Sequence, residues 1–375
     1  SYEEVEANIK AGKPYVLRLR SQGSPDKEIT FVDAIKGEIK LPENIHDIVL
    51  LKKDGIPTYH FAHAIDDHLM RTTTVVRGGE WLASAPIHYE LFHLLGFKMP
   101  AYAHTAHLMK FDEETGGKRK LSKRKDPELS LDYYRKDGYH PYTMKVYLLT
   151  LLNSNFEEWH EKFPDKDINE FPFSVEKMNQ SGALFDKDKL HNICKNELSK
   201  LSEEELYDFL YDWAKENEPE NVEKWFGDRE KMLQILRLYM GVGAKRRRKD
   251  LMYAKQIFEL ISYFFDGESA EEMDEFKLDE DMVSKILKSY LAKYDHNDDN
   301  SVWFNKLKEI ADEHGFASDM KAYKANPENF KGNVSDIAEA VRIAVTGRAN
   351  TPDLWTIVHI MGEEQMTERI KKHIK

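Results

Sequence analysis

The stretch TTVVRGGEWLASAPIHYELFHLLGFKMPAYAHTAHLM, residues 73–109, decides the fold. TTVVR is a β-rich run that ends at a Gly-Gly pair, a strand followed by a break. SAPIHYELFHLLG then reads as a well-punctuated helix. Ser84 stands where an N-cap belongs, Pro86 falls in the first turn where its missing N–H costs nothing, and Gly96 is the C-terminal stop. The apolar stretch Tyr102–Met109 follows. Strand, helix and a second apolar run are the rhythm of half of an α/β nucleotide-binding domain.

Outward from this stretch, further β-rich runs are expected at Tyr15–Arg20, Glu28–Val32, Ile45–Leu51 and Thr58–Ala62, separated by Gly, Pro and Asp clusters. From about Pro141 the pattern turns helical. Val283, Ile286, Leu287, Tyr290, Leu291 and Tyr294 recur at the spacing of one helix face. Leu251–Phe265, Trp303–Ala311, Val334–Val345 and Leu354–Met361 are patterned in the same way, with Gly315, Gly347 and Gly362 at C-cap positions. The acidic stretch Asp266–Asp281 reads as a solvated linker. The expected architecture is an α/β front followed by an all-α back.

Composition narrows the function. With 67 acidic and 55 basic residues the formal charge is −12, which at first sight disfavours a polyanionic partner. The single cysteine, Cys194, excludes an internal disulfide framework and a Cys-rich zinc site, and it suits a reducing, cytoplasmic setting. No apolar run reaches the ~20 residues that cross a bilayer, so no membrane partner is expected. HxxH spacing occurs at His60/His63 and His104/His107. On an extended strand that spacing sends the two side chains to opposite faces, so no zinc site is expected.

The charge is nevertheless uneven. KRKLSKRK, Lys118–Lys125, holds six basic residues and no acidic one, after the turn-forming DEETGG. KRRRK, Lys245–Lys249, places five consecutive cations just before the helix expected at Leu251. Each run is read either as a solvated surface or as a compact anion-binding patch. Arg77, at the C-terminal end of its β-run, stands where open α/β sheets place ligand-binding groups. A guanidinium there either clamps a carboxylate bidentately or forms a structural ion pair.

Lys-Leu-Ser-Lys-Arg, residues 120–124, resembles the signature loop of class I aminoacyl-tRNA synthetases, usually written Lys-Met-Ser-Lys-Ser. Three further segments agree in order. DGIPTYHFAHAIDDHLMRTTTVVRGGEWLASAPIHYELFHLLGF (54–97) is similar to the second half of the catalytic domain of glutamyl-tRNA synthetases. FSVEKMNQSGALFDKDKL (173–190) resembles their stem-contact region, and AVRIAVTGRANTPDLWTIVHIMG (340–362) resembles their closing helix and turn.

The resemblance implies a second half of a Rossmann-type catalytic domain with part of its acceptor-binding insertion, then an α-helical anticodon-binding region. It divides the chain into residues 1–57 (insertion), 58–112 (catalytic half-domain), 113–218 (signature loop and stem contact) and 219–375 (anticodon-binding domain). It implies ATP-dependent activation of glutamate and transfer to tRNA(Glu), with Mg2+ accompanying ATP, by a protein expected to be a monomer. Lys120, Ser122 and Lys123 become the catalytic residues. Leu121, Arg124, Trp81 and Leu108 join them around ATP. Tyr59, His63 and Arg77 take the amino acid, and Arg124, Lys125, Lys245, Arg246, Arg247 and Arg248 meet tRNA, with Arg342 and Arg348 as weaker candidates. His63 departs from the family pattern, where asparagine or a small residue is common, and this bears on how glutamate and glutamine are distinguished.

The family's His-x-Gly-His motif does not occur in the chain. The expectation is therefore of the C-terminal two-thirds of the enzyme, unable on its own to catalyse ATP–pyrophosphate exchange but still able to bind tRNA. The alternatives are a glutamine–tRNA ligase, a synthetase charging both tRNAs, and a non-catalytic tRNA-binding protein derived from a synthetase. The helical back counts against the glutamine enzymes, which typically end in β-barrels.

Overall fold

The computed structural model describes residues 1–112, 114–180, 182–265 and 273–375. The chain forms two compact units, one of residues 1–129 and 145–187, the other of residues 130–144 and 188–375. One of the three boundaries, between residues 144 and 145, falls within the helix Pro141–Leu152.

The first unit holds nine strands among the described residues: β1 (Leu17–Arg18), β2 (Glu28–Asp33), β3 (Gly37–Pro42), β4 (Val49–Leu51), β5 (Thr74–Gly78), β6 (Ala101–Thr105), β7 (Leu108–Phe111), β8 (Lys118–Lys120) and β9 (Ala183–Leu184). They form sheets of order β1-β4, β3-β2-β6-β5 and β8-β7-β9. In the central sheet β5 and β6 are parallel, in a register that sets Arg77 beside His104, and β2 joins β6 through Asp33 and Tyr102. The helix Ala85–Leu94 is the crossover that parallel neighbours require. It buries Ala85, His88, Leu91 and Phe92, one face of a 3.6-residue period. Ser84 precedes this helix without a side-chain capping bond, because a 3-10 turn, Gly79–Ser84, already leads into it.

One expected strand is a helix. Thr58–Ala62 has β-forming residues, yet Tyr59–Leu69 is helical, with Thr58 in extended geometry at its N-cap. Its neighbours account for this: Ala64 is fully buried, and it packs beside Leu91 and Phe92 of the crossover helix, so tertiary burial overrides local propensity. The hairpin strand β3, in which Ile39 and Leu41 alternate with Glu38 and Lys40, was not among the expected strands, and it pairs antiparallel with β2.

The second unit is helical, and its core is continuous from Leu198 to Ile370. Helix Glu280–Lys293 buries Val283, Ile286, Leu287 and Tyr290, and the facing helices Asn300–His314 and Val334–Thr346 contribute Leu307, Ile310, Ile337 and Val341. Asp279, Asp299 and Asp353 accept backbone N–H bonds at helix starts, and Ser202 with Glu205 forms a capping box. Gly315 and Gly347 close their helices in the left-handed region. Of the expected acidic linker, residues 266–272 lie outside the described residues, while Asp279 caps a helix.

Gly138 ends helix Leu131–Asp137 at φ +78°, where a Cβ would sit 2.4 Å from the Ala254 Cβ and 2.7 Å from the Trp213 Nε1. Its carbonyl also accepts the Ala254 N–H at 2.9 Å. Gly138→Ala is expected to destabilise the chain by about 2–4 kcal/mol in urea unfolding, from left-handed strain plus overpacking. An unchanged midpoint would contradict this packing.

Candidate active site

Arg77 leaves β5 at its C-terminal end, and among the described residues it forms no ion pair with a carboxylate. Its Nε donates to His104 Nε2 at 2.9 Å, its Nη1 to His88 Nδ1 at 3.1 Å, and its Nη2 to the Trp81 carbonyl at 3.3 Å. The guanidinium lies 4.7 Å from the centroid of the Tyr102 ring, a cation–π distance. Burial drives His88 down to about 2, helped by the fields of His63 and Arg77, so its ring is neutral at any physiological pH. Burial likewise lowers His104, although Asp33 opposes it.

Asp33, buried at the end of β2, anchors this arrangement. Its carboxylate accepts from His104 Nδ1 at 2.6 Å and from the backbone N–H groups of His104, Ile35 and Lys36 at 2.9–3.0 Å. Burial alone would raise the Asp33 carboxyl, but these hydrogen bonds outweigh it and hold it below the usual range.

Tyr59, His63 and Trp81 gather beside Arg77's partners. The rings of Tyr59 and Trp81 are 4.5 Å apart, those of Tyr59 and His63 5.9 Å, and those of His63 and His88 4.4 Å. The helix Tyr59–Leu69 is responsible, and it removes the geometric ground on which His60 and His63 were separated: residues three apart on a helix share a face. Instead, His60 Nδ1 meets His88 Nε2 at 2.9 Å. His104 turns to Asp33 and His107 to Glu80, at 3.4 Å. His63 comes to the site with Nε2 at 2.6 Å from the Tyr102 hydroxyl, and with Nδ1 at 2.7 Å from Asp67 Oδ2 in a close contact that lacks hydrogen-bond geometry. Burial lowers His63 against the pull of Asp67 and raises the Tyr102 phenol.

The basic octamer is a strand and a tight turn. Asp126 is its staple: it accepts both Arg119 Nη atoms at 2.6 and 2.7 Å and the Ser122 N–H at 2.8 Å. The forked bond from Arg119, with the Ser122 amide, holds the Asp126 carboxyl far below the usual range despite its burial. Leu121 is buried beneath the turn, its N–H bonded to the Leu108 carbonyl at 3.0 Å. Leu108 itself lines an apolar cavity of about 240 Å³ with Leu148, Leu151 and Met178. Lys120 lies 3.6 Å from Glu80 of the turn that carries Trp81. Lys118, Lys123, Arg124 and Lys125 form no ion pair among the described residues. One cation is thus spent on shaping the loop, and four are left to meet an anion.

In the helical unit, residues 245–250 are irregular, and the helix starts at Ala254 rather than Leu251. Arg248 pairs with Asp250 at 2.6 Å and Lys249 donates to Asn196 at 2.7 Å. Lys245, Arg246 and Arg247 form no ion pair among the described residues. Arg246 and Arg248 line a cavity of about 720 Å³ with Arg237, Pro352, Thr356 and His359. Arg342 spends its Nη1 on the Thr351 and Pro352 carbonyls, and Arg348 donates to the Glu259 carbonyl, so both serve the fold.

Asp33, His88, Tyr102, His104 and Asp126 were missed in the sequence. His88 alone carried a usable signal, a histidine on the apolar face of the crossover helix.

Residues 1–192 match the family described as tRNA synthetases class I (E and Q), catalytic domain, and residues 205–374 match the anticodon binding domain. The glutamate–tRNA ligase of Acetivibrio thermocellus is 52% identical over 372 residues, covering 99% of this chain and 67% of that protein. The chain belongs to the glutamate–tRNA ligase family. The ligase of Clostridium perfringens strain SM101 is 46% identical over 379 residues, covering 100% of this chain and 68% of that protein. A crystal structure of the family, a glutamate tRNA ligase from Elizabethkingia meningosepticum in complex with its amino acid, superposes with a TM-score of 0.72 at 25% identity, covering 100% of this chain and 70% of that one. The chain therefore spans about two-thirds of the length of these relatives. Membership makes it part of an ATP-using enzyme family whose partners are glutamate and tRNA. Among the described residues no helix is long and apolar enough to cross a membrane.

The Asp126 carboxylate stabilises the fold above the ordinary carboxylate range, and that contribution is lost as pH falls through its lowered value. Asp126→Ala is expected to cost about 2 kcal/mol at pH 7, from the loss of charge-assisted bonds. The variant should also lose stability less steeply below pH 4 and show faster amide exchange at Ser122. Urea titrations across pH and hydrogen exchange check this, and equal exchange in both proteins would contradict the staple.

Proposed function

We propose that Arg77, with Tyr59 and Trp81 beside it, is the carboxylate clamp for glutamate. On this reading Lys120, Ser122, Lys123 and the loop backbone, with Leu121 and Leu108 beneath, address the ATP phosphates and the adenylate. The observation that carries it is that Arg77, among the described residues, is held by two imidazoles and a carbonyl where a guanidinium is ordinarily paired with Asp or Glu. With the side-chain carboxylate held by Arg77, activation requires the α-carboxylate to be set against the α-phosphate while charge builds on pyrophosphate. Positioning and cationic stabilisation supply most of such a barrier reduction. A loop whose Lys118, Lys123, Arg124 and Lys125 form no ion pair among the described residues, together with the Arg77 guanidinium, suits that division of labour.

Mg2+ is proposed to arrive with the nucleotide. Among the described residues no group of three or more His, Cys, Asp or Glu could hold a metal ion, whereas magnesium bound through ATP phosphates needs no protein cage. Arg124, Lys125, Lys245, Arg246 and Arg247 are proposed to meet the tRNA backbone of tRNA(Glu), since phosphate contacts favour cations free of internal partners, and Arg248 is proposed to join them by exchanging Asp250 for a phosphate. The segment roles 1–57, 58–112, 113–218 and 219–375 stand as part of the same proposal, as do a monomeric state and a cytoplasmic location.

Glutamate titrated into the chain and followed by saturation-transfer NMR tests the clamp. Arg77→Gln removes a charge-assisted pair and should weaken glutamate at least roughly tenfold. Undiminished binding by a folded Arg77→Gln variant would refute the assignment.

A further inference from the structure

The hydrogen bonds around Arg77 run in one direction. A carboxylate only accepts and a guanidinium only donates, so their partners have no choice of tautomer. Asp33 obliges His104 to carry its proton on Nδ1, which leaves Nε2 to accept from Arg77 Nε. Arg77 Nη1 obliges His88 to accept on Nδ1, so the neutral His88 ring carries its proton on Nε2 and donates to His60 Nδ1. His60 is then left with its proton on Nε2, for which no protein partner is present among the described residues. On the adjoining face, His63 Nε2 lies 2.6 Å from the Tyr102 hydroxyl.

We propose that His88 and His104 are positioning residues that make this site select a carboxylate over a carboxamide. The inference deepens, and rests on, the reading of Arg77 as the substrate clamp. Every lone pair of the relay is consumed inside it: His104 Nε2, His88 Nδ1 and His60 Nδ1 all accept from protein donors. The Trp81 carbonyl accepts from Arg77 Nη2. What the relay leaves over for a ligand is donors, namely the remaining Arg77 N–H groups and His60 Nε2–H. The Tyr59 hydroxyl can donate or accept and adds no preference.

A carboxylate brings about four acceptor sites and satisfies such a surface. A carboxamide brings one acceptor oxygen and two N–H groups, and those N–H groups find only other donors. An unmade hydrogen bond of that kind lowers affinity by roughly 10- to 100-fold. Replacing either histidine by a carboxylate would also neutralise Arg77, so the neutral ring serves two purposes. It fixes the guanidinium plane and leaves its charge intact. Asp33 lies at the far end of the relay with three backbone N–H partners, so its orientation does not depend on the ligand.

Two measurements on the purified chain test this. The first needs no ligand. Proton–nitrogen NMR of the 15N-histidine-labelled chain at pH 7 should show His104 protonated on Nδ1 and His88 on Nε2, both neutral. The opposite tautomer at either residue, or a charged ring, overturns the proposal. The second compares glutamate with glutamine by saturation-transfer titration. The wild-type chain should prefer glutamate by about tenfold or more. His88→Leu, which removes the relay, should bring the two affinities together. His88→Gln should recover most of the preference, because its carbonyl can accept from Arg77 while its amide donates to His60.

Asp33→Asn, which changes no volume and frees the His104 tautomer, gives a second route should His88→Leu fail to fold, and it should also narrow the preference. A wild-type ratio retained in His88→Leu, or no better recovery in His88→Gln than in His88→Leu, contradicts the proposal. Loss of glutamate binding in Arg77→Gln beside an unchanged ratio in the His88 variants removes this proposal and leaves the clamp. A wild-type chain that binds neither amino acid removes both.

Discussion

A partly buried cation with no counter-ion among the described residues is the constraint around which the α/β unit is arranged. Removing charge from water is costly unless hydrogen bonds replace the lost solvation. Arg77 meets that requirement with two imidazoles, a carbonyl and the face of Tyr102. The partners come from three different elements, with Tyr102 and His104 sharing β6. The β5–β6 register delivers His104, the crossover helix delivers His88, and the 3-10 turn delivers the Trp81 carbonyl. Asp33 on β2 completes the set by orienting His104. A shift of the β5–β6 register by one residue would turn Arg77 to the other face and dissolve the arrangement.

The chain uses its other cations by the same rule, in two ways. Arg119 is neutralised by Asp126, and the product is a shaped loop. Arg248 is held by Asp250, and Arg342 by carbonyls, and the product there is local order in the helical unit. The cations left without carboxylates among the described residues, Lys118, Lys123–Lys125 and Lys245–Arg247, are those an anionic ligand can reach. Lys120, loosely paired with Glu80, is intermediate and can exchange that partner for a phosphate. The net charge of −12 therefore says little about partners; what matters is which cations the fold leaves unspent.

Much of the fold was legible because it is written in local patterns. The crossover helix follows from Pro86 and Gly96, and the helical unit from the spacing of Val283, Ile286, Leu287 and Tyr290. The glutamate–tRNA ligase family likewise showed in short contiguous motifs. The strand expected at Thr58–Ala62 failed because burial of Ala64 against Leu91 and Phe92 is a long-range fact that no local window contains. The candidate site was legible in part. Arg77, Tyr59 and the loop lysines stand out by position, whereas Asp33, His88 and His104 act through contacts 11–71 residues apart. Asp126 lies close in sequence to the loop it holds, but nothing marks an aspartate after a basic run as its staple until Arg119 is seen to reach it.

The most direct measurement is a crystal structure of this chain grown with glutamate. The account expects a substrate carboxylate within hydrogen-bond distance of the Arg77 guanidinium, with His88 and His104 still bonded to it. Glutamate bound elsewhere, or an Arg77 that turns away to pair with a protein carboxylate, would contradict it.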